Sequence, residues 1–327
     1  MSSIAHIFDP LGLLLAVTTT AKILLQELWK LKLSWDESIP LNLHTTWTTY
    51  YTQLTKLNEL KIPRHVICPN PVTVELHGFS DASSFAYGAC VFIRSLDSSG
   101  QYYCNILIVK TRVAPPKQIT IPRLELCAAL LLAELVDKVK QSMQIDFNQI
   151  YYWCDSTIVI AWIKMSPSLL KTFIANRISQ IQTWTLSKSW HYINTLENPA
   201  DLLSRGISPS DLLNSNIWFH GPSWLSCSND QWPNYTNITK EVQDIPELRT
   251  VLETDTNKLL EAIKNCSSLL KLQRIFAYVL RFVNNTLTNK QSKNLNCLLP
   301  SELDDSLNCL IRVVQQESFT TDHNGPL

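Results

Sequence analysis

The spacing of apolar residues changes along the chain, and each spacing predicts a different kind of element. Residues 21–31 carry apolar side chains at helical spacing, and we predict that residues 1–65 form a helical region. Pro63 and the two prolines within residues 68–71 interrupt this pattern, which predicts a boundary near residues 65–71. From residue 72 the apolar and polar positions alternate, and this alternation predicts β-strands.

The middle of the chain reads as three strands, a helix, and then strands and helices in turn. The predicted elements are strands over 72–77, 86–94 and 101–109, a helix over 123–140, a strand over 150–154, helices over 156–164 and 169–184, a strand over 189–193 and a helix over 198–204. Short turns make the first three strands an antiparallel meander. Because a helix crosses over before the fourth strand, that strand is expected to run parallel to the first. The fold class is α/β, with a mixed five-stranded sheet and flanking helices.

The helix predicted over residues 123–140 is apolar on nearly every side in its first half, so we expect it to be central and buried. Beyond residue 215 the chain is rich in Trp through Pro233, and helices are predicted over 245–283 and 301–317. The tryptophans at 153, 162, 184 and 190 are expected in the core or at its edge, and those at 218, 224 and 232 are expected to cover the flank of the domain.

Composition places the chain among ordinary globular proteins. It has 327 residues, 28 basic and 28 acidic side chains and 45% hydrophobic residues, which excludes a disordered acidic or basic tail. The apolar stretch over residues 11–17 is much shorter than the ~20 residues of a membrane span, and we expect no signal peptide. Nine scattered cysteines without a C-x-x-C pair favour reduced thiols in the cytosol and offer no zinc finger.

Charge is distributed unevenly despite the overall balance. Glu125 is the single acid between Asp97 and Glu134, and no acid lies between Asp155 and Glu197. The basic residues of these two segments are Lys110, Arg112, Lys117, Arg123, Lys164, Lys171, Arg177 and Lys188. Two interpretations stay open on charge alone: a chance fluctuation on a solvated face, or a surface for phosphate backbones that keeps acids where chemistry needs them.

Four acids lie next to the ends of predicted elements. Asp81 follows the first strand, Asp155 follows the fourth, and the other two acids, Glu125 and Asp201, sit in first helical turns. Parallel neighbouring strands would bring the first two to one sheet edge. A cluster of carboxylates is costly unless a divalent cation compensates it. Two Mg²⁺ ions about 4 Å apart can activate water and stabilise the leaving oxygen in phosphodiester hydrolysis. Taken singly, each acid also fits a turn or a helix N-terminus.

Several motifs in this chain resemble the ribonuclease H domain of BEL/Pao-type retrotransposon polyproteins. The motifs are LHGFSDAS at 76–83, YGACV at 87–91, KTRVAP at 110–115, IPRLEL at 121–126, WCDS at 153–156 and NPADLLSRG at 198–206. Upstream, IFDPLG at 7–12 and AKILLQELW at 21–29 are similar to the end of that family's reverse transcriptase. Residues 262–318 look like the helical segment that precedes its integrase.

The resemblance implies a domain order and an activity. It divides the chain into a reverse transcriptase-like helical tail (1–65), a ribonuclease H-like domain (66–215), a Trp-rich linker (216–244) and a helical pre-integrase-like segment (245–327). The implied activity is endonucleolytic cleavage of the RNA strand of an RNA/DNA hybrid, with little base specificity. The implied metal-binding and catalytic acids are Asp81, Glu125, Asp155 and Asp201, holding two Mg²⁺ or Mn²⁺ ions.

Partners and location follow from the same resemblance. The expected partners are the hybrid and the reverse transcriptase and integrase portions of the parent polyprotein, with no membrane. The expected location is the cytoplasm, in the virus-like particle of the parent element, or the nucleus. The residues expected to contact nucleic acid are Lys110, Arg112, Arg123, Lys164 and Arg205, although Arg205 fits a helix-surface salt link with Asp201 equally well.

Departures from related enzymes leave an alternative open. The chain has no aromatic-x-Asp-Asp hairpin for polymerisation and no Asp-Thr/Ser-Gly of an aspartic peptidase. No His lies between Ile193 and Asp201, where cellular enzymes often carry one, and His191 is expected to be structural. The alternative is therefore a catalytically inactive nucleic-acid-binding or scaffold remnant. An integrase-like strand transferase is a third hypothesis, which the placement of Glu125 disfavours.

Overall fold

The computed structural model describes residues 7–34, 37–233, 245–248, 265–287 and 297–321. The chain divides into two compact units, Met1–Arg249 and Thr250–Leu327. The predicted boundaries at residues 65/66 and 215/216 both fall inside the first unit. All four acids singled out by the sequence also lie there.

A five-stranded mixed sheet forms the centre of the first unit, as predicted. Its strands are β1 (Thr73–Ala82), β2 (Ala86–Leu96), β3 (Tyr102–Val113), β4 (Gln149–Cys154) and β5 (Trp190–Tyr192). The order across the sheet is β3-β2-β1-β4-β5. β1, β2 and β3 pair antiparallel, whereas β4 runs parallel to both β1 and β5. The expected parallel pairing of the first and fourth strands is therefore confirmed.

Helices surround the sheet, and two more form the second unit. The helices are α1 (Leu15–Leu31), α2 (Leu41–Gln53), α3 (Ile121–Ser142), α4 (Thr157–Lys164), α5 (Thr172–Trp184), α6 (Asp201–Arg205), α7 (Pro209–Leu213), α8 (Asn216–His220), α9 (Leu269–Leu287) and α10 (Pro300–Thr321). The helix predicted from residue 245 is wrong over residues 245–248, where a turn ends in a β-bridge between Leu248 and Leu170. Residues 249–264, the next part of that predicted helix, lie outside the described residues.

One face of the sheet packs on α3, which is buried as predicted. Leu76 and Val91 on the sheet join Leu132 and Val136 on the helix in one apolar cluster. Gly78 allows the sheet and α3 to pack closely, because a Cβ at this position would lie only 2.5 Å from Leu132 Cδ1. A side chain at this position would force Leu132 out of its place between the sheet and the helix.

The opposite face of the sheet is covered by segments that come before and after the strands. Phe79, Phe92 and Trp153 on the sheet pack in one cluster with Val17 of α1 and Trp218 of α8. The backbone joins the same elements, since Leu11 O accepts from Val109 N at 2.8 Å and Leu13 O accepts from the Trp218 indole at 3.0 Å. This face would be an exposed apolar surface without them, which explains why the predicted domain boundaries do not separate compact units.

Residues 223–233 also cover this face of the sheet, and Arg94 of β2 holds them there. The side chain of Arg94 is buried, with 1% of its surface exposed. Its guanidinium donates to the carbonyl oxygens of Leu225 (2.8 Å) and Cys227 (2.5 Å) and pairs with Glu75 Oε2 at 2.6 Å. Trp232 packs edge-on against His77 with ring centroids 5.4 Å apart. The Trp-rich segment is thus bonded to the sheet over this range, and residues 234–244 of the predicted linker lie outside the described residues.

The second unit consists, in its described part, of α9 and α10. Arg281 on α9 donates from Nε to Glu302 Oε1 on α10 at 2.8 Å, and Ser306 donates to the carbonyl oxygen of Gln273 at 3.0 Å. The helical character predicted for this segment is present over these two helices. Throughout the described residues of the whole chain, none of the helices combines the length and apolar character that crossing a membrane requires.

Candidate active site at the carboxyl edge of the sheet

Asp81 and Asp155 lie side by side at the carboxyl ends of two parallel strands. Ser80 of β1 is in register with Cys154 of β4, so the next residue on each strand projects at the same edge. Asp81 is the penultimate residue of β1 rather than the residue after it, because pairing with β2 extends the strand to Ala82. The two carboxyl groups lie close enough to shift each other's pKa.

Asp201 and Glu125 flank this pair. Asp201 is the first residue of α6, and its charge acts on both Asp81 and Asp155. Glu125 lies in the second turn of α3, one turn later than predicted, where it accepts a hydrogen bond from Ser156 and senses the charge of Asp155. The fold thus brings all four predicted acids near one edge of the sheet, where Asp155 interacts with each of the other three.

Burial and mutual repulsion make it unfavourable for all of these carboxyl groups to be ionised at once. Asp81 is 5% exposed, and burial, followed by the charges of Asp155 and Asp201, raises its pKa to about 8. Burial also raises the pKa of Asp155 and that of Glu125, although hydrogen bonds from Thr195 and Ser156 oppose the two shifts. Ionising several buried carboxyl groups in one place is unfavourable, and a bound cation would compensate for their negative charge.

The loop between β5 and α6 supplies residues that the sequence analysis missed. The hydroxyl of Thr195 donates to Asp155 Oδ2 at 2.9 Å. Asn198 donates from Nδ2 to the carbonyl oxygen of Ser80 at 3.1 Å and accepts from the backbone of Ala200, which ties the start of α6 to β1. Asn198 opens the Asn-Pro-Ala-Asp motif and Thr195 lies three residues before it, and this position was the signal that could have found their roles.

A divalent cation fits the chemistry of the Asp81–Asp155 pair. Asp155 Oδ1 is buried and has no hydrogen-bond partner, so an oxygen ligand is left over at the centre of the site. Within the part of the chain that the structure describes, no three His, Cys, Asp or Glu side chains are arranged to hold one ion together. Arg205 accounts for part of this, because its Nε lies 2.6 Å from Asp201 Oδ1. Asp81 and Asp155 are therefore available to an ion, whereas Asp201 is paired with Arg205 and Glu125 interacts with Ser156.

The basic residues predicted to contact nucleic acid have different surroundings. Lys110 and Arg112 lie on β3 opposite Ala89 and Tyr87. Lys164 is exposed at the end of α4. The other two are held by carboxylates, since Arg123 pairs with Glu247 and Arg205 with Asp201. The helix-surface salt link considered for Arg205 is therefore present.

The aromatic residues around β4 are packed inside the protein. Trp153, Trp162 and Trp190 are at most 4% exposed, in agreement with the core placement expected for them. His191 packs against Trp153 with ring centroids 5.1 Å apart, and burial lowers its pKa. These contacts give His191 a structural role, as expected from its place in β5.

Comparison with known proteins agrees with this architecture. Residues 1–156 match the family described as the Pao retrotransposon-like RNaseH-like domain. No curated protein matches the chain. Among solved structures it is similar to RNase H1 from Halobacterium salinarum, with 14% identity and a TM-score of 0.27 over 40% of this chain and 93% of that chain.

Two further solved structures show a similar extent of match. LC11-RNase H1 in complex with an RNA/DNA hybrid has 13% identity and a TM-score of 0.27 over 43% of this chain and 94% of that chain. The N-terminal RNase H domain of a Mycobacterium tuberculosis protein has 13% identity and a TM-score of 0.26 over 44% of this chain and 94% of that chain. The assignment of the fold rests on the family match and on the strand order, not on these scores.

Proposed function

Because residues 1–156 match the Pao retrotransposon-like RNaseH-like family, we propose that the chain is a metal-dependent endoribonuclease. It would cleave the RNA strand of RNA/DNA hybrids during reverse transcription of a retrotransposon. The observation that carries the proposal is the buried Asp81–Asp155 pair at the carboxyl edge of β1 and β4, with one carboxylate oxygen left without a partner. The acids on either side, Glu125 and Asp201, add to the negative potential there.

The protein's own residues would prepare this site for a cation. Asp81 and Asp155 would hold Mg²⁺ or Mn²⁺, and Thr195 keeps one oxygen of Asp155 oriented by its hydrogen bond. Bound ions of this kind activate a water molecule for attack on a phosphodiester and stabilise the leaving oxygen. Arg205 neutralises Asp201 in the state described here, and release of that pair would free a further carboxylate for the site.

The expected substrate follows from the family and from the chemistry of the acids. An enzyme that uses metals and no nucleophilic side chain acts on the phosphate backbone, and it distinguishes RNA from DNA by the 2′-hydroxyl and by helix shape. The reverse transcriptase and integrase portions of the parent polyprotein are the proposed partners. The virus-like particle of the parent element is the proposed place of action.

Cleavage of an end-labelled hybrid by the purified chain tests the proposal. We expect cleavage of the RNA strand in Mg²⁺ or Mn²⁺, none in EDTA, and none of a DNA duplex. Asp81→Asn is expected to abolish cleavage, whereas Asp146→Asn, an exposed acid before β4, should leave it unchanged. Cleavage that persists in Asp81→Asn would disprove the assigned site.

A second candidate is an inactive nucleic-acid-binding or scaffold remnant of the polyprotein. The observation that favours it is that no three acids are arranged around one point in the described residues. This candidate predicts binding of the hybrid that is unaffected by Asp155→Asn and no turnover at any concentration of either metal. The same cleavage experiment therefore separates the two functions.

A further inference from the structure

Residues 245–248 lie across the start of helix α5 and place an acid between two cations. Glu247 Oε1 is 2.6 Å from Arg123 Nη2 and 2.9 Å from Arg123 Nε, and Glu247 Oε2 is 3.3 Å from Lys171 Nζ. Arg123 is in the first turn of α3 and Lys171 directly precedes α5. The positive ends of two helix dipoles therefore add to the two side-chain charges at this point.

The backbone of this segment is fixed in the same place. Glu247 O accepts a hydrogen bond from Lys171 N at 2.9 Å, and Pro246 O accepts one from the Trp162 indole at 2.9 Å. Glu247 has a φ of 64°, in the left-handed region that non-glycine residues seldom adopt. The turn in this conformation holds the Glu247 side chain against the two cations.

The carboxylate of Glu247 does not fit both of its cations. Glu247 Oε2 is buried, and its 3.3 Å contact with Lys171 Nζ lacks hydrogen-bond geometry. A further cation lies close by, since Arg123 and Arg177 both lie against the Phe173 ring, with guanidinium carbons 5.0 Å and 3.6 Å from its centre. A phosphodiester, which is not held by this backbone, would be free to meet both Arg123 and Lys171.

The position of the cations relative to the acids favours nucleic acid as the source of that phosphate. Arg123 and Glu125 both lie near the start of helix α3, about 3 Å apart along its axis, with side chains on different sides of the helix. We propose that Arg123 and Lys171 form a subsite for a backbone phosphate of the RNA/DNA hybrid, and that Glu247 occupies it as an autoinhibitory strap. This inference rests on the proposed function, because it takes the hybrid as the ligand.

The strap is weak enough to be displaced. Arg123 and Lys171 keep 33% and 58% of their side-chain surface exposed, and ion pairs of this kind contribute little in water. A polyanion that binds both cations releases counterions, which gives it an advantage over one tethered carboxylate at low salt. Binding of the hybrid and opening of residues 245–248 are therefore expected to be coupled.

Fluorescence anisotropy of a labelled hybrid with the full chain in EDTA tests the inference without requiring catalysis. Glu247→Gln should tighten binding by about three- to tenfold at low salt, since it removes the competing charge. Glu27→Gln is the matched control, because Glu27 forms an exposed pair with Lys30 at 2.7 Å on α1. Adding Lys171→Gln to Glu247→Gln should remove most of the gain.

The outcomes separate this inference from the proposed function. An equal effect of Glu247→Gln and Glu27→Gln, or no detectable hybrid binding by any variant, would overturn the strap. A gain in affinity for the hybrid without any cleavage in Mg²⁺ would support the strap and disprove the endonuclease. If Glu247→Gln strengthens the binding of inorganic phosphate and leaves the affinity for the hybrid unchanged, the ligand is free phosphate and the nucleic-acid assignment is wrong. Circular dichroism of each variant verifies its folding.

Discussion

The hydroxyl of Thr195 donates a 2.9 Å hydrogen bond to Asp155 Oδ2, and the other oxygen of that carboxylate is buried without a partner. One oxygen is thus oriented by the protein while the other is left for a ligand. Groups that hydrogen-bond a metal-binding carboxylate fix its direction and affect affinity and rate nearly as much as the ligand itself. Thr195 is therefore a positioning residue for the proposed site.

Replacing Thr195 by Val removes the hydrogen bond and keeps the shape of the side chain. We expect the cleavage rate to fall about 10- to 100-fold and the Mg²⁺ concentration for half-maximal activity to rise. Thr195→Ser should recover most of the rate, because it restores the hydroxyl. Titrations of metal and hybrid with both variants measure these effects. A change confined to the KM for the hybrid would instead assign Thr195 to substrate contact.

The crowding of carboxyls at the sheet edge gives a prediction about stability without metal. Asp155→Asn removes one of two neighbouring buried acids, so in EDTA it should raise the free energy of unfolding by about 1–2 kcal/mol. Mg²⁺ should raise the Tm of the unmodified chain and have a much smaller effect on the variant, because the ion binds the folded state through these acids. Thermal unfolding with and without Mg²⁺ measures both. A lower stability of the variant in EDTA would contradict this account of the site.

Arg94 gives a prediction about the cover of the sheet. Arg94→Met leaves Glu75 buried without its partner at 2.6 Å and frees the carbonyl oxygens of Leu225 and Cys227. Breaking one side of a buried ion pair costs about 3–5 kcal/mol, and urea unfolding should show a loss of that order. Combining Arg94→Met with Glu75→Gln should recover part of the loss. Arg205→Met, which removes an exposed pair, should cost less than about 1 kcal/mol.

Much of this fold follows from local rules that act over short stretches of sequence. The alternating pattern and the turn at residues 98–100 gave the meander, and the crossover rule gave the parallel pairing of β1 with β4. That pairing in turn brought Asp81 and Asp155 to one edge. Prediction succeeded where the position of a residue in its own element decides where its side chain goes.

The contacts that sequence reasoning missed join residues far apart in the chain. Glu247 meets Arg123 across 124 positions, and Arg94 reaches Asn229 across 135. Arg123 lies in the IPRLEL motif, but its partner Glu247 lies in no motif, and each pair forms because a later segment folds back onto the sheet or its helices. The exact arrangement of the acids was also beyond prediction, since the link between Arg205 and Asp201 competes with a cluster of four. The spacing of apolar residues along the chain carries no information about which ion pairs compete for an acid.

His77 supplies a pH dependence of stability that is separate from the acids. Its Nδ1 accepts from the Trp153 indole at 3.3 Å and its Nε2 lies 3.3 Å from Glu75, so the ring is neutral with its proton on Nε2. Complete burial lowers its pKa from 6.5 to about 4, although the hydrogen bond to Glu75 opposes this. Its environment therefore disfavours the charged ring.

Because the unfolded chain binds this proton more tightly than the folded chain, stability should fall as the pH decreases from 6.5 towards 4, by up to about 3 kcal/mol. His77→Gln is expected to lower stability at pH 7.5 and to flatten this acid-side decline, whereas His44→Gln, at an exposed position on α2, should leave the decline unchanged. Urea unfolding at half-unit steps between pH 4 and pH 7.5 measures the slope for each variant. A decline of equal steepness in His77→Gln would show that the acid sensitivity comes from another group.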